Sequence, residues 1–236
     1  MKPKFIFQTL ILVVAVLFLS VSVSADDLTI GGTTSVTTVH GATATASLTI
    51  SNTNTTENFK TVTLQSSNIT FSTTSFGLNA SQSKSITYSI AVPLYQAPGA
   101  YSYPFTVNGT KENGQNSSVS GTIQVNVNSS ATLSVTQAPS TLTKSNNKTS
   151  FTVKNTGNVQ LTSLIFSFNA NNLKDDLRQI TLTFSPNSIL SINPGASETV
   201  NITATIPENL DPKDYTTTLV VNASSLVSTV SASTPL

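Results

Sequence analysis

Hydrophobic and polar residues alternate along most of this chain, so that every second side chain falls on one face. A period of two predicts β-strands with one buried face. The clearest examples are Ala42, Ala44, Ala46, Leu48 and Ile50; Ile86, Tyr88, Ile90 and Val92; and Tyr101, Tyr103, Phe105 and Val107. Turn-forming residues, among them Pro98-Gly99 and Asn193-Pro194-Gly195, separate the runs. We therefore predict an all-β protein.

The pattern of strands occurs twice. Ser85–Pro93 matches Thr199–Pro207, and the same offset carries Tyr101 to Tyr215. A repeat of about one hundred residues is too long for a solenoid and fits two copies of one small domain. We predict two tandem immunoglobulin-like β-sandwich domains, domain 1 at residues 40–129 and domain 2 at residues 130–236. Tyr101 and Tyr215 each open a strand after a turn, where this fold places a tyrosine corner.

The last strands of the two copies differ. In copy one the alternating face reads Val119, Gly121, Ile123, Val125 and Val127, and in copy two Leu226, Ser228, Val230, Ala232 and Thr234. The loss of bulk predicts a groove and an exposed sheet edge in domain 2, and both are costly unless something covers them. Copy two also gains the charged segment Asn169–Gln179. We interpret it as a solvated loop or short helical turn, with a subunit contact as the alternative.

Residues 26–39 offer a further strand, with an apolar face made by Leu28, Ile30 and Val36. Inserted into a neighbour's groove, as in strand addition between pilins, these side chains would contribute roughly 1.5–3 kcal/mol each. Such a head-to-tail contact propagates as a filament. The competing interpretation makes Leu28–Ile30 the ordinary first strand of domain 1, because it aligns with Leu133–Val135. The two are compatible, since a strand that pairs with its own domain in a monomer can be exchanged in a polymer.

Residues 1–25 have the pattern of a secretory signal peptide. Lys2 and Lys4 precede an apolar run from Leu10 to Leu19 and small residues up to Ala25. We predict cleavage between Ala25 and Asp26 and no direct membrane insertion afterwards, with a retained anchor or a type IV pilin leader as the alternative. The chain has no cysteine, so each exported domain depends on its own core, a partner or glycans.

Few side chains suit catalysis. The one histidine, His40, lies in a predicted turn, and neither a nucleophile elbow nor a Gly-rich phosphate loop is present. Glu208, Asp211 and Asp214 share a loop, but their spacing matches no EF-hand. We expect no catalytic residue, no cofactor and no metal site, and hence no enzymatic activity. Eleven basic and ten acidic residues nearly balance, so the chain lacks the excess of positive charge that nucleic-acid binding needs.

Asn-x-Ser/Thr sequons mark candidate sites of N-glycosylation. They lie at Asn54, Asn68, Asn79, Asn108, Asn116, Asn128, Asn147, Asn201 and Asn222. Several fall at predicted turns or strand ends, where a glycan can face solvent. Asn201 lies between the inward candidates Val200 and Ile202, so we expect it to point outward.

Together these features resemble the subunit of the archaeal thread, a thin glycosylated surface filament joined by donor-strand complementation. The resemblance rests on the leader Met1–Ala25, the all-β copies without cysteine, the sequons and the strand Leu28–Ile30. Single copies are also similar to immunoglobulin-like repeats of archaeal surface-layer and adhesion proteins, as in Phe151–Asn158 and Asn193–Val200.

The resemblance implies an extracellular, cell-surface filament subunit that polymerises with itself and carries N-linked glycans. In that interpretation residues 26–39 are the donor strand. The alternative is a monomeric, surface-layer-associated module that binds a glycan or a protein partner.

Overall fold

The computed structural model describes residues 27–236; the predicted signal peptide and its cleavage site at Ala25 and Asp26 lie outside them. Within this range the chain forms seventeen β-strands and one short 3-10 helix. They build two β-sandwiches, each with two sheets and a hydrophobic core of its own. No helix of residues 27–236 has both the length and the apolar character needed to cross a membrane.

Domain 1 has nine strands. They are β1 (Leu28–Gly32), β2 (Ser35–Thr38), β3 (Thr43–Asn52), β4 (Phe59–Gln65), β5 (Thr70–Phe71), β6 (Ser75–Leu78), β7 (Ser83–Ala91), β8 (Gly99–Lys111) and β9 (Asn116–Val127). One sheet has the order β1-β3-β7-β5 and the other β2-β9-β8-β4-β6. The pair β2–β9 is parallel, and the other pairs are antiparallel. The N-terminal segment, defined here as residues 27–38, therefore supplies an edge strand to each sheet.

Domain 2 follows the same plan with eight strands. They are β10 (Leu133–Gln137), β11 (Lys148–Asn155), β12 (Leu161–Phe168), β13 (Thr181–Ser185), β14 (Ser188–Ile192), β15 (Ser197–Thr205), β16 (Thr218–Ser224) and β17 (Thr229–Pro235). The sheets have the orders β10-β11-β15-β13 and β14-β12-β16-β17. Within residues 27–236 no strand takes the place that β2 has in domain 1, so β17 is a sheet edge.

The predicted alternation corresponds to the buried faces of the strands. Leu48, Ile86 and Val107 lie in the core of domain 1, and Phe151 and Val200 in the core of domain 2. Burying apolar side chains from both sheets of each sandwich is the main source of its stability. The prediction of an all-β protein with tandem immunoglobulin-like sandwiches is confirmed.

Both predicted tyrosine corners are present. The Tyr101 hydroxyl donates a hydrogen bond to the carbonyl oxygen of Ala97, at 2.9 Å. The Tyr215 hydroxyl donates to the carbonyl oxygen of Asp211, at 3.2 Å. The Tyr101 bond ties the start of β8 to the turn before it. Tyr215 does not open a strand as predicted, because β16 begins only at Thr218; its bond closes the loop that leads to β16.

Part of the prediction for the last strand is wrong. Leu226 is fully exposed, because Ser225–Ser228 form the turn between β16 and β17 and Leu226 is at its tip. Ser228 is exposed as well, whereas Val230, Ala232 and Thr234 alternate toward the core as predicted. The inward face of β17 is therefore shorter than the sequence pattern indicated.

The extra segment of domain 2 forms a short helical turn, as one of the two interpretations predicted. The 3-10 helix covers Ala170–Leu173, and Leu173 is buried. The Asp175 carboxylate accepts backbone hydrogen bonds from Leu177 at 2.9 Å and from Arg178 at 2.6 Å. Its charges therefore stabilise the loop itself.

The two domains meet at a buried asparagine. Asn158 is 3% exposed. Its side-chain nitrogen donates to the carbonyl oxygens of Gln96 and Asn128, both at 2.9 Å. Its side-chain oxygen accepts from the Ser130 backbone N–H at 2.6 Å. Three polar contacts at one buried side chain define the joint between domain 1 and domain 2.

Candidate functional site

The three residues predicted as a donor strand lie in domain 1 of their own chain. Leu28 is 1% exposed, and Ile30 and Val36 are half-buried and packed against the same core. β1 pairs with β3 from Leu28–Asn52 to Gly32–Leu48. The interpretation of Leu28–Ile30 as the first strand of domain 1 therefore describes the monomer.

Two glycines make room for Leu28 and Ile30. A Cβ atom on Gly109 would lie 2.6 Å from a Phe59 ring carbon and 2.8 Å from a Leu28 methyl carbon. A Cβ atom on Gly121 would lie 2.5 Å from the Phe105 ring and 3.0 Å from an Ile30 methyl carbon. The seat of β1 is therefore shaped by missing side chains on β8 and β9.

The N-terminal segment changes sheet at Thr33 and Thr34. The Thr33 backbone N–H donates to the Ser47 carbonyl oxygen at 3.0 Å, and its carbonyl oxygen accepts from the Tyr88 hydroxyl. Burial raises the pKa of Tyr88 above its ordinary value of 10.0. After the crossing, β2 pairs in parallel with β9, and Val36 lies opposite Val125.

Three charged side chains converge where β1 begins; we name Asp27, Glu57 and Lys111 the charged triad. The Lys111 ammonium contacts the Asp27 carboxylate and lies 3.0 Å from Oε2 of Glu57. The Lys111 side chain is only 9% exposed, the Asp27 side chain 20% and the Glu57 side chain 37%. The Lys111 ammonium is therefore nearly enclosed and lies between two carboxylates.

The triad shifts the pKa values of two of its members. The hydrogen bond from Lys111 holds the pKa of Asp27 below its ordinary value of 3.8; burial opposes the shift and Asn54 adds to it. The hydrogen bonds to Asp27 and then Glu57 raise the pKa of Lys111 above 10.5, again against burial. An opposite charge at hydrogen-bond distance stabilises each charged form.

Domain 2 keeps the backbone at these positions but has none of the charges. The Thr132 carbonyl oxygen accepts from Thr156 as that of Asp27 does from Thr53. The Asn52 side chain donates to the Glu57 carbonyl oxygen, as the Asn155 side chain does to that of Val159. Lys111 and Ser225 each begin the turn that follows β8 and β16, respectively. The fold therefore does not require the triad.

Domain 2 has a groove, but the loss of bulk on the inward face of the last strand is not its origin. None of Leu226, Ser228, Val230, Ala232 and Thr234 lines it. Its volume is about 750 Å³, and its apolar lining includes Leu142, Leu182, Ile206 and Tyr215. The origin is visible in the strand pairing. β9 pairs with β8 along Gly99–Thr110, whereas β17 pairs with β16 only along Thr218–Ser224. The stretch around Tyr215, matching the start of β8, has no strand beside it among residues 27–236.

The sequons differ in exposure. Six of them have exposed asparagines: Asn68, Asn79, Asn116, Asn128, Asn201 and Asn222. Asn108 is half-buried. Asn54 and Asn147 use the nitrogen that a glycan would occupy, donating to Asp27 at 3.3 Å and to the Ala204 carbonyl oxygen at 3.0 Å.

His40 lies in a turn, and its ring stacks on Tyr95 with 6.0 Å between the ring centroids. Within the described range, 27–236, no three His, Cys, Asp or Glu side chains converge as metal ligands. The sequence analysis did not identify the charged triad. Comparing the two copies draws attention to its three positions, because the matching residues Thr132, Val159 and Ser225 carry no charge.

Comparison with known proteins matches no family and no curated protein. Among solved structures, the chain is similar to the YadV chaperone, with 11% identity over 89% of this chain and 100% of that chain and a TM-score of 0.35. It is also similar to the periplasmic chaperone SfaE, with 10% identity over 87% and 97% of the two chains and a TM-score of 0.34. A third similarity is to a complex of the Salmonella enterica SafA pilin with the SafB chaperone, with 12% identity over 89% and 96% and a TM-score of 0.32. TM-scores this low carry no argument about function, and the fold assignment rests on the strand order and the two cores.

Proposed function

We propose that this protein is a structural subunit of an extracellular filament, joined by exchange of the N-terminal segment. In the monomer, residues 27–38 pair with domain 1 of their own copy. In the filament, the same residues pair with domain 1 of the next copy, in the equivalent position. The observation that carries the proposal is the position of this segment at the edge of both sheets of domain 1. An edge strand can leave without breaking any pairing among the remaining strands.

The exchange restores every contact that it breaks. Leu28 and Ile30 return to equivalent seats beside Gly109 and Gly121, and the ladders with β3 and β9 form again between copies. The free energy difference between monomer and polymer is then limited to the hinge and the cost of association. Domain swapping is a low-cost route to assembly for this reason.

The hinge is the turn between β2 and β3. The Ala42 N–H donates to the Val39 carbonyl oxygen at 3.4 Å, and Gly41 has a φ of +72°. Opening this turn extends residues 39–42 and carries the N-terminal segment away from its own domain. The donated segment and the seat are different surfaces, so the contact is head-to-tail. It propagates as a fibre when the rotation between successive copies does not close a ring.

The surface chemistry supports an extracellular place for this subunit. The chain has no cysteine, only 9% charged residues, and six exposed sequon asparagines. Glycans at those positions would supply solubility that so small a number of charged residues does not provide. Secretion through the predicted leader and a cell-surface location are parts of the same proposal.

Disulfide trapping between two labelled populations tests the exchange. Thr29 and Ser51 are opposite one another on β1 and β3. Opposed antiparallel residues have Cα atoms about 4.5–5.5 Å apart, which suits a disulfide. Copies with Thr29→Cys and one tag are mixed with copies carrying Ser51→Cys and another tag before assembly. We expect a disulfide joining the two tags in the assembled material.

The matched control uses a strand pair that is not exchanged. Ser51 is also opposite Ser83 on β7, so a mixture of Ser51→Cys and Ser83→Cys copies contains no pair that meets across copies. Filaments without a Thr29–Ser51 cross-link would overturn the exchange into domain 1. A cross-link from Thr29→Cys to Thr216→Cys, beside the groove, would move the acceptor site to domain 2.

The groove favours one second candidate, a monomeric binding module. A volume of about 750 Å³ lies in the range of ligand-binding clefts, roughly 300–1,000 Å³. Lys213 lies 5.0 Å from the centre of the Tyr215 ring at its rim, so the groove offers both an aromatic and a cation. A mature chain that stays monomeric at high concentration and binds an oligosaccharide or peptide there would support this candidate.

A further inference from the structure

The charged triad brings together the three groups that amide formation needs. Lys111 provides an amine, Asp27 a carboxyl group in contact with it, and Glu57 a second carboxylate 3.0 Å from the same nitrogen. Glu57 is itself positioned, because its Oε1 accepts a hydrogen bond from Asn113 at 2.6 Å. A nucleophile, an electrophile and a proton carrier within hydrogen-bond reach form a reactive arrangement.

We propose that Lys111 and Asp27 join in an isopeptide bond, with Glu57 as the acid–base group that moves the proton. The bond would link the residue before β1 to the last residue of β8. It would be a modification that the chain performs on itself, with no cofactor.

The reaction balances as a condensation. A proton passes from the Lys111 ammonium to the Asp27 carboxylate, which gives a neutral amine and a carboxylic acid. The amine nitrogen attacks Cγ of Asp27, and Glu57 takes a proton from the nitrogen and delivers it to the leaving hydroxyl group. One C–N bond forms, one C–O bond breaks and one water leaves. Nothing is oxidised or reduced, and Glu57 ends as a carboxylate.

The geometry of the site favours this reaction. The Lys111 side chain is nine-tenths buried, so bulk water has little access to its nitrogen. The reacting groups are held in contact, and well-oriented intramolecular reactions reach effective concentrations of about 10⁵–10⁸ M. The Asp27 side chain is 20% exposed, which leaves a path for the water to depart.

Domain 2 shows that the arrangement is an addition to the fold. The same backbone contacts form there with Thr132, Val159 and Ser225 in place of the triad. A buried ion pair is a poor way to stabilise a domain, because the cost of dehydrating two charges offsets their attraction. A covalent bond gives a physical reason for a buried lysine in a chain with so few charges.

The bond does not depend on the proposed strand exchange. With Asp27 from the same chain, it fixes β1 in its own domain. With Asp27 from an exchanged segment, the same chemistry makes the filament covalent. The two sources differ in which chains the bond joins, and mass spectrometry distinguishes them.

Intact mass and peptide mapping of the mature chain test the proposal. For chains produced without glycans, we expect a mass lower than the sequence mass by one water, and a branched peptide that contains Asp27 and Lys111. Lys111→Arg keeps the charge but removes the nucleophile, and Glu57→Gln removes the proton carrier. Both variants are expected to show the full sequence mass. Glu112→Gln, next to Lys111 but directed at Asn58, is the matched control and is expected to lose the water.

Isotope mixing identifies the source of Asp27. Filaments assembled from heavy and light chains contain heavy–light branched peptides if the segment is exchanged, and only heavy–heavy and light–light ones if it is not. The second pattern leaves the bond standing and removes the exchange of β1. A folded wild-type chain with the full sequence mass and no branched peptide overturns the bond, whatever the Thr29–Ser51 trapping shows. Loss of water by Glu57→Gln overturns the role of Glu57.

Discussion

The Tyr88 hydroxyl donates a hydrogen bond to the carbonyl oxygen of Thr33, with 2.9 Å between the two oxygens. Tyr88 is 1% exposed, and Thr33 is where the N-terminal segment crosses from one sheet of domain 1 to the other. The matching residue of domain 2 is Ile202, and no strand of domain 2 crosses in this way among the described residues. The bond is therefore specific to the domain that holds the exchangeable segment.

Removing this hydroxyl is expected to loosen the N-terminal segment. Tyr88→Phe loses one hydrogen bond in the core, which we expect to lower the free energy of unfolding of domain 1 by about 0.5–1.5 kcal/mol. Urea unfolding checks the stability. The comparison is Tyr101→Phe, which removes a bond outside the segment. Only Tyr88→Phe is expected to increase Thr29–Ser51 trapping between copies, and an equal increase for Tyr101→Phe would contradict this account.

The glycine beneath β1 gives an independent test of the seat. The Cβ atom of Gly109→Ala would overlap the Phe59 ring and Leu28, and overpacking of this kind costs about 1–3 kcal/mol. Gly77→Ala is the matched control, because its Cβ would meet its nearest neighbour at an ordinary 3.5 Å. Thermal unfolding is expected to show a lower Tm for the first variant alone. A Tm unchanged by Gly109→Ala would mean that Leu28 is not seated there.

Glycan occupancy is expected to follow the local hydrogen bonds. Asn201 and Asn222 lie exposed on β15 and β16, so both are expected to be modified in the producing cell. Asn54 and Asn147 are expected to remain bare, because a glycan on either nitrogen would break a bond that the folded chain uses. Glycopeptide mass spectrometry measures each site. A fully modified Asn147 would show that its loop is rearranged in the mature protein.

The pH dependence of stability reports whether Lys111 and Asp27 are still separate groups. The pKa of Asp27 is lowered, so its contribution is present above 3.8 and is lost as the pH falls through the folded-state pKa. The pKa of Lys111 is raised, so its contribution is present below 10.5 and is lost as the pH rises through the higher folded-state value.

For Glu57→Gln, which we expect to leave the pair unlinked, domain 1 should lose stability at both ends of this range. In the wild-type chain the amide does not titrate, and both losses should be absent. Denaturant unfolding between pH 3 and pH 11 makes the comparison. Asp175 provides an internal reference, since its pKa is lowered by backbone hydrogen bonds from Leu177 and Arg178 in domain 2 of both chains. Wild-type domain 1 titrating like the variant would contradict the cross-link.

Much of the fold could be predicted because it depends on local pattern. Alternation identifies the buried face of a strand such as Ser83–Ala91, and a tyrosine after a turn predicts the bond that Tyr101 makes to Ala97. Leu226 shows where alternation alone is misleading. Its position fits the alternation, yet Ser225 and Ser228 close a turn around it and direct it into solvent.

The charged triad could not be read from local pattern, because its members come from three distant parts of the chain. Asp27 precedes β1, Glu57 lies in the loop before β4, and Lys111 ends β8. The strand order brings them together, and a strand order is not encoded in any single segment. The division of the N-terminal segment between two sheets was missed for the same reason, since the parallel contact of Val36 with Val125 spans most of domain 1.

The direction of β1 has a mechanical consequence for the proposed filament. Tension on a fibre whose links are exchanged segments would pull each segment along its own axis. The hydrogen bonds between β1 and β3 lie across that axis, so they would bear the load together and not open one after another. The joint at Asn158 lies at the opposite end of domain 1 from Asp27, where domain 2 begins. Domain 2 would then carry no load, and its groove would stay accessible while the fibre is stretched.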